Sequence, residues 1–218
     1  MSDDHPTDDG LPTGVERRTF DGRERLSTQG PTVYGEPADG DGWRAWDASR
    51  SKLGGMLELG MDTGLVGGET VLYLGAAAGT TVSHVAEFAG PTYAVEFAPR
   101  PVRDLVGVAE DRDNLFPLLK DARDPASYAH VVESDVDCLV MDVATRGQAT
   151  VAIRNRQFLA DDGRLLMAVK ARSEDVTADP DDVFDDVLAD LESAYEVLET
   201  ARLDRFHADH LGIVARPK

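Results

Sequence analysis

The chain has 218 residues, of which 42% are hydrophobic, and its formal net charge is −19. This hydrophobic fraction suffices for a sizeable folded core, while no apolar run reaches the roughly 18 residues that a membrane span requires. The acidic, polar start "MSDDHPTDDG" lacks the basic and apolar regions of a signal peptide, so we expect a cytoplasmic protein.

Acidic residues outnumber basic ones by 41 to 22, and they are spread along the whole chain. High net charge can indicate disorder, but the periodic apolar segments favour a folded protein. In molar salt the Debye length is about 3 Å, so repulsion between the surface carboxylates is largely screened. We therefore interpret the acidity as an adaptation to high salt. The single cysteine, Cys138, lies in an apolar run, which predicts a buried thiol and excludes a disulfide within the chain.

The N-terminal part of the chain predicts a leader and a small β-rich unit. Residues 1–14 are polar and acidic, and we expect them to be disordered. Asp21 and Gly22 separate two short strand-like segments, which predicts a hairpin, and "PTVYGE" at 31–36 predicts another strand. We therefore expect a β-rich N-terminal domain at 15–42 and a second domain at 43–218.

The second domain begins with a helical pattern in "WDASRSKLGGMLELGM", with Asp47 or Ser49 as its N-cap. From Glu69 onward, apolar strand patterns alternate with helical ones. Strands are predicted at 69–75, 92–97, 115–122, 136–143, 163–172, 195–203 and 210–218, and helices at 80–89, 99–112, 126–133, 147–159 and 179–194. The last two strands have no helix between them, so one should run antiparallel. The repeated βα units predict an α/β protein with a doubly wound, mostly parallel sheet.

Five short stretches follow the ends of these strands and should meet at one edge of the sheet, where such folds bind ligands. They are residues 75–81, 96–97, 121–122, 142–145 and 170–172. Gly75 and Gly79 allow a tight turn and a close approach of the backbone to a ligand. Ala76 and its alanine neighbours add little bulk beside it.

The residues at this edge favour a nucleoside ligand. Glu96 lies 21 residues after Gly75, where an acid can bind both ribose hydroxyls. The dinucleotide fingerprint G-x-G-x-x-G is incomplete, because its second glycine is Ala77 here. Asp121 suits the amino group of adenine better than a phosphate. Several carboxylates without clustered lysine or arginine suit S-adenosylmethionine, which is cationic at sulfur, and a nicotinamide-dependent oxidoreductase stays as an alternative.

Several long strings resemble one known family. The chain is similar to archaeal fibrillarin in "VLYLGAAAGTTVSHV", "YAVEFAPRPVRDL", "NLFPLLKDAR", "VKARSEDVT" and the pair Asp209 and His210. The resemblance runs from residue 50 to the end, although the family's pattern has Ser at Ala78 and Gln at Thr145. It implies the Rossmann-like fold of class I S-adenosylmethionine-dependent methyltransferases. The positions implied for the cofactor are Thr80, Thr81, Glu96, Phe97, Asp121, Ala122, Asp142, Val143, Ala144, Thr145 and Gln148.

The resemblance also implies the reaction, which is 2′-O-methylation of rRNA and tRNA guided by box C/D RNA. Such a reaction needs the ribose hydroxyl to be oriented or deprotonated for in-line attack on the methyl carbon. The family's Lys-Asp-Lys-His tetrad corresponds to Lys52, Asp142, Lys170 and His210. We predict Lys170 as the base and Asp142 as its orienter, with Lys52 and His210 positioning the ribose and a phosphate. No second Cys/His cluster supports a metal site.

The partners implied by the resemblance are a box C/D guide RNA paired with the target, a Nop-domain scaffold protein and a kink-turn-binding ribosomal-type protein. The sequence itself contains no basic aromatic platform that would read single-stranded RNA. A binding module that holds cofactor or partner without turnover is therefore kept as a further alternative. The presence of all four tetrad residues argues against it.

Overall fold

The computed structural model describes residues 10–132 and 135–218, which form two β-sheets with helices packed against them. The smaller sheet is antiparallel and contains β1 (Glu16–Phe20), β2 (Arg23–Gln29) and β3 (Trp43–Trp46). The predicted hairpin is confirmed. Its turn residues Asp21 and Gly22 both have positive φ, the conformation that two-residue hairpin turns require.

The expectation of a strand at 31–36 is wrong. Residues 31–36 form no strand, because the Glu36 carboxylate accepts from the backbone N–H groups of Val33 and Tyr34 and folds the segment back on itself. The third strand of the small sheet is β3, which begins at Trp43. Residues 1–9 of the expected leader lie outside the described residues. Its end is ordered, since Leu11 is buried.

The larger sheet contains, in chain order, β4 (Val71–Leu74), β5 (Thr92–Glu96), β6 (Leu115–Leu119), β7 (Val136–Met141), β8 (Leu159–Lys170), β9 (Tyr195–Arg202) and β10 (His210–Pro217). Their order in space is β6–β5–β4–β7–β8–β10–β9. The first five are parallel neighbours, while β10 is antiparallel to both β8 and β9. The prediction of a mostly parallel α/β sheet with one antiparallel strand is confirmed.

The helices are α1 (Lys52–Glu58), α2 (Thr80–Phe88), α3 (Pro99–Ala109), α4 (Gln148–Asn155), α5 (Ala171–Glu174) and α6 (Pro180–Leu191). Ser51 caps α1, whereas Asp47 caps the preceding 3₁₀ turn. The prediction of a helix at 126–133 is wrong for residues 126–132, which the structure describes and which contain only the end of a 3₁₀ turn. Tyr128 turns inward there, and its hydroxyl donates to Asn155. Within the described chain, no helix is long and apolar enough to cross a membrane.

Apolar side chains cover both faces of the larger sheet, as the alternation along β4 illustrates. Leu72 and Leu74 belong to the core on the side of α4 and α6, while Val71 and Tyr73 belong to the core on the side of α1 and α2. Cys138 is buried in the second core, and burial raises the pKa of its thiol. The two cores fix the strand ends that form the site.

A buried polar network joins the small sheet to α2. The guanidinium of Arg44 forms ion pairs with Glu36 and Glu87, and it donates to Ser83 Oγ at 2.9 Å. His84 is stacked on Trp46 with a ring-centroid distance of 4.9 Å. Burial holds the pKa of His84 well below its usual value, so this histidine has a packing role.

Candidate active site

The carboxyl ends of the parallel strands surround a cleft of about 410 Å³, which is the size range of small-molecule sites. Nine of the residues predicted to bind a cofactor line it: Gly75, Glu96, Phe97, Asp121, Ala122, Asp142, Val143, Ala144 and Thr145. Five other residues also line the cleft: Ala77, which was expected only as a small neighbour of the ligand, and Val95, Lys120, Arg123 and Val151, which were not predicted. Position at or near a strand end is a signal for Val95, Lys120 and Arg123, whereas Val151 lies within α4 and no local pattern marks it.

The loop after β4 requires small residues for definite geometric reasons. Gly75 has a φ of 85°, and a Cβ there would lie 2.2 Å from the carbonyl oxygen of Asp142. Gly79 has a φ of 96° and precedes α2, where a Cβ would lie 3.1 Å from Val108 Cγ2. Ala77 also has a positive φ, 48°, so the backbone at this fingerprint position has the conformation that favours glycine although the residue is alanine.

The carboxylate of Glu96 is fixed at the end of β5 by two backbone donors. Ala77 N–H donates to Oε2 at 3.0 Å, and Ala98 N–H donates to Oε1 at 2.8 Å. Glu96 is buried, yet it lines the cleft. Each oxygen retains a further lone pair, so the carboxylate can accept from two ribose hydroxyls without moving.

The end of β6 differs from the expectation that no basic side chains gather at the site. Lys120 and Arg123 both line the cleft, on either side of Asp121. The Arg123 guanidinium contacts both carboxylate oxygens of Asp121, with Nη2 donating to Oδ2 at 2.6 Å. These hydrogen bonds hold the pKa of the Asp121 carboxyl below its usual value. Asp121 is therefore an ionised acceptor at the cleft.

The remaining predicted cofactor residues lie beside the cleft without lining it: Ala76, Gly79, Thr80, Thr81 and Gln148. Thr81 is buried beside Tyr73, which belongs to the core. Gln148 is fully buried at the start of α4. The structure thus brings the predicted residues to one edge of the sheet but gives several of them contacts within the protein.

The four predicted catalytic residues meet at the same edge. Lys52 Nζ lies 3.0 Å from Asp142 Oδ2, and the Asp142 residue also lines the cleft. Lys170 ends β8, directly opposite His210 at the start of β10. Asp142 was expected to orient Lys170, but its ion pair is with Lys52, because α1 carries Lys52 to the end of β7. Lys170 is exposed and forms no ion pair with any described residue.

His210 is buried, and one of its two ring nitrogens is hydrogen-bonded to the backbone. Its Nδ1 lies 2.7 Å from the Ala208 carbonyl oxygen. Burial lowers the pKa of His210, and the nearby Lys52 charge adds to this effect. A neutral ring that donates from Nδ1 leaves Nε2 as an acceptor.

Comparison with known proteins gives a consistent result. The family model described as Fibrillarin matches residues 18–218. A "Fibrillarin-like rRNA/tRNA 2'-O-methyltransferase" of Halorubrum lacusprofundi is 74% identical over 208 residues, covering 95% of this chain and 98% of that protein.

Two solved structures agree in fold. The Aeropyrum pernix fibrillarin with natively bound S-adenosyl-L-methionine has a TM-score of 0.79 and 43% identity, covering 93% of this chain and 94% of its own. A chain of a fibrillarin/Nop5p complex has a TM-score of 0.87 and 37% identity, covering 95% and 99%. The chain therefore belongs to the fibrillarin family.

Proposed function

We propose that the chain is an S-adenosylmethionine-dependent RNA 2′-O-methyltransferase that modifies rRNA and tRNA. The observation that carries the proposal is the ion pair of Lys52 and Asp142 at the rim of the cleft, beside Lys170 and His210. A lysine cation and a carboxylate beside a nucleoside-sized cleft suit a ribose hydroxyl held next to a cationic methyl donor. The name of the relative from Halorubrum lacusprofundi supports the same reaction.

The residues of the cleft fit S-adenosylmethionine. Glu96 has lone pairs free for both ribose hydroxyls, and Asp121 is an ionised acceptor for the adenine amino group. Phe97 is 68% exposed, and such an exposed ring beside the cleft suits contact with a base. When bound, this cofactor would supply an electrophilic methyl group on a positively charged sulfur, and the Asp142 carboxylate would contribute negative charge to the cleft.

The four polar residues at the rim have distinct proposed roles. The Lys52 ammonium is held by Asp142, so it is suited to orienting the ribose rather than to accepting a proton. Lys170 has no carboxylate partner among the described residues and is the candidate base for the 2′-hydroxyl proton. His210 presents Nε2 as an acceptor that positions the hydroxyl. General-base assistance of this kind contributes about 10²–10⁴-fold to a rate.

The proposal extends to the assembly in which the enzyme works. The solved fibrillarin/Nop5p complex supports a Nop-domain scaffold as the protein partner. Guide and target RNA, a kink-turn-binding ribosomal-type protein and a cytoplasmic location are further parts of the proposal. Selection of the target by guide pairing would explain how an enzyme with a net charge of −19 and no basic aromatic platform in its sequence acts on RNA.

The test is a methylation assay of the assembled complex in molar KCl. The chain is combined with scaffold protein, kink-turn protein, guide RNA, target RNA and methyl-labelled S-adenosylmethionine. We expect label at one guide-specified ribose, and at no ribose when the guide sequence is scrambled. Cofactor binding measured by calorimetry without any methylation would instead identify a non-catalytic binding module. Binding of NAD in place of S-adenosylmethionine would identify the oxidoreductase alternative.

A further inference from the structure

Gln148 uses its side-chain amide to hold the backbone of Lys170. Lys170 N–H donates to Gln148 Oε1 at 3.0 Å, and Gln148 Nε2 donates to the Lys170 carbonyl oxygen at 3.2 Å. Nε2 also donates to Glu174 Oε1 at 3.0 Å. Both amide hydrogens are therefore in use, and the side chain is fully buried. Neither hydrogen is left for a cofactor.

Glu174 fixes Gln148 in turn. Its carboxylate accepts from the backbone N–H of Gly147 at 2.8 Å and from that of Gln148 at 2.6 Å. Gly147 and Gln148 form the start of α4, where a carboxylate is favoured by the helix dipole. The start of α4, the helix α5 that contains Glu174, and the end of β8 are thus joined by one set of hydrogen bonds.

On the side of β7, no strand residue lies next to Lys170 in the sheet. The pairing of β7 with β8 ends at Met141 and Met167, so Lys170 extends beyond the last residue of β7. The Gln148 side chain occupies the place of the missing strand, with one bond donated and one accepted. Without it, the N–H and C=O of Lys170 would lose their partners on that side.

The same bonds determine how Lys170 faces His210. The two residues are directly opposite in the antiparallel pair of β8 and β10. The N–H and C=O of Lys170 point to Gln148 and away from β10, so Lys170 and His210 form a non-hydrogen-bonded pair. In antiparallel sheets, opposite side chains lie closest in pairs of this type. The orientation of the Lys170 backbone therefore sets the distance between the two side chains.

We infer that Gln148, held by Glu174, is a positioning residue for Lys170 and not a cofactor ligand as the sequence predicts. It acts by fixing the backbone from which the Lys170 amine reaches the target hydroxyl. The inference rests on the proposed methyltransferase function. It adds the residue that determines where the candidate base is placed.

The test uses Gln148→Met, which keeps the size of the side chain and removes its hydrogen bonds to Lys170. The matched control is Asn114→Leu, because the Asn114 side-chain amide also donates to backbone carbonyls, with its Nδ2 within hydrogen-bond distance of the Ala86, Ala89 and Gly90 oxygens, away from the cleft. Single-turnover methylation in the assembled complex, at saturating cofactor and RNA, should slow by about tenfold or more in Gln148→Met, since misplacement of a reacting group by about 1 Å is this costly. We expect the dissociation constant for S-adenosylmethionine to stay within about twofold, and the control variant to keep its rate.

A double-variant cycle separates positioning from general stability. In the Lys170→Ala background, Gln148→Met should cause no further loss of rate, because the residue that it positions is absent. An additive loss, or weaker cofactor binding with an unchanged rate, would overturn the inference. If Gln148→Met fails to fold, Glu174→Gln serves, since it keeps the size of that side chain, replaces the carboxylate that holds Gln148 by a neutral amide, and should likewise slow methylation. Absence of methylation by the unsubstituted chain would refute the proposed function instead.

Discussion

Lys52 Nζ lies 3.0 Å from Asp142 Oδ2, and this ion pair joins helix α1 to the end of the central strand β7. Both side chains are about three-quarters shielded from solvent. The contact brings a cation to the rim of the cleft and leaves Lys170 without a carboxylate partner among the described residues. Two lysines at the same edge of the sheet therefore have different electrostatic surroundings, which is the basis for assigning them different roles.

Removing the cation should affect catalysis more than stability. For Lys52→Gln we expect methyl transfer to fall by about 10²-fold, while the free energy of unfolding changes by about 1 kcal/mol or less, as for other partly exposed ion pairs. Asp142→Asn should reduce both the rate and the affinity for S-adenosylmethionine, because its carboxylate also faces the cleft. Single-turnover rates and calorimetry would check both variants. Equal effects of the two on cofactor affinity would argue against the separate roles.

Glu96→Ala should weaken binding of S-adenosylmethionine. The substitution removes charge-assisted hydrogen bonds to ribose, each worth about 1.5–3 kcal/mol, so the dissociation constant should rise by at least about tenfold. Asp104→Ala is the matched control, since it removes an exposed acid from α3 outside the cleft. Calorimetry on both variants gives the comparison. Unchanged affinity in a folded Glu96→Ala protein would contradict the ribose assignment.

Acidification should destabilise the protein through His84. Burial holds the folded-state pKa of His84 well below its usual value, whereas in the unfolded chain it titrates near about 6.5. Below that pH the unfolded chain binds a proton that the folded state excludes, so stability is full above about pH 6.5 and falls as the pH is lowered, by about 1.4 kcal/mol per unit. Thermal unfolding between about pH 7.5 and 5 should show a steeper loss for the natural chain than for His84→Gln. Parallel profiles would mean that His84 does not contribute.

The protein should be most stable in molar KCl. With 41 acidic residues against 22 basic ones, repulsion between surface carboxylates grows as salt is removed. The buried network around Arg44 is shielded from solvent, so it cannot account for a salt effect. Circular dichroism melts at increasing KCl should show a rising transition temperature. The double variant Asp185→Asn and Asp186→Asn, on the exposed face of α6, should need less salt, and higher stability in dilute buffer would refute this explanation.

The sequence predicted the large sheet well because its signals are local and strong. Apolar strands alternating with amphipathic helices define the order of elements, and small residues at Gly75 and Gly79 mark the loop that approaches the ligand. The ends of successive strands then place Glu96 and Asp142 at one edge. These features follow from the chain's periodicity and from the rule that parallel strands share a carboxyl edge.

Individual side-chain contacts, between distant segments and between close neighbours, could not be predicted in the same way. The partner of Asp142 is Lys52 because α1 packs at the end of β7, and no local pattern encodes that packing. Arg123 binds Asp121 although a site without clustered basic residues was expected. Residues 31–36 look like a strand, but the Glu36 side chain bonds to their backbone and replaces strand pairing.

The most direct test of the account is single-turnover methylation by Lys170→Ala and Lys170→Arg in the assembled guide complex, with Lys218→Ala as the control for loss of a lysine. Arginine keeps the positive charge but cannot release a proton in the relevant pH range. If Lys170 is the base, we expect both Lys170 variants to lose about 10²–10⁴-fold in rate, with cofactor affinity and the Lys218→Ala rate unchanged. A Lys170→Arg protein that retains most of the rate would show that the residue only steers the RNA. A Lys170→Ala protein with the natural rate would contradict the active-site assignment.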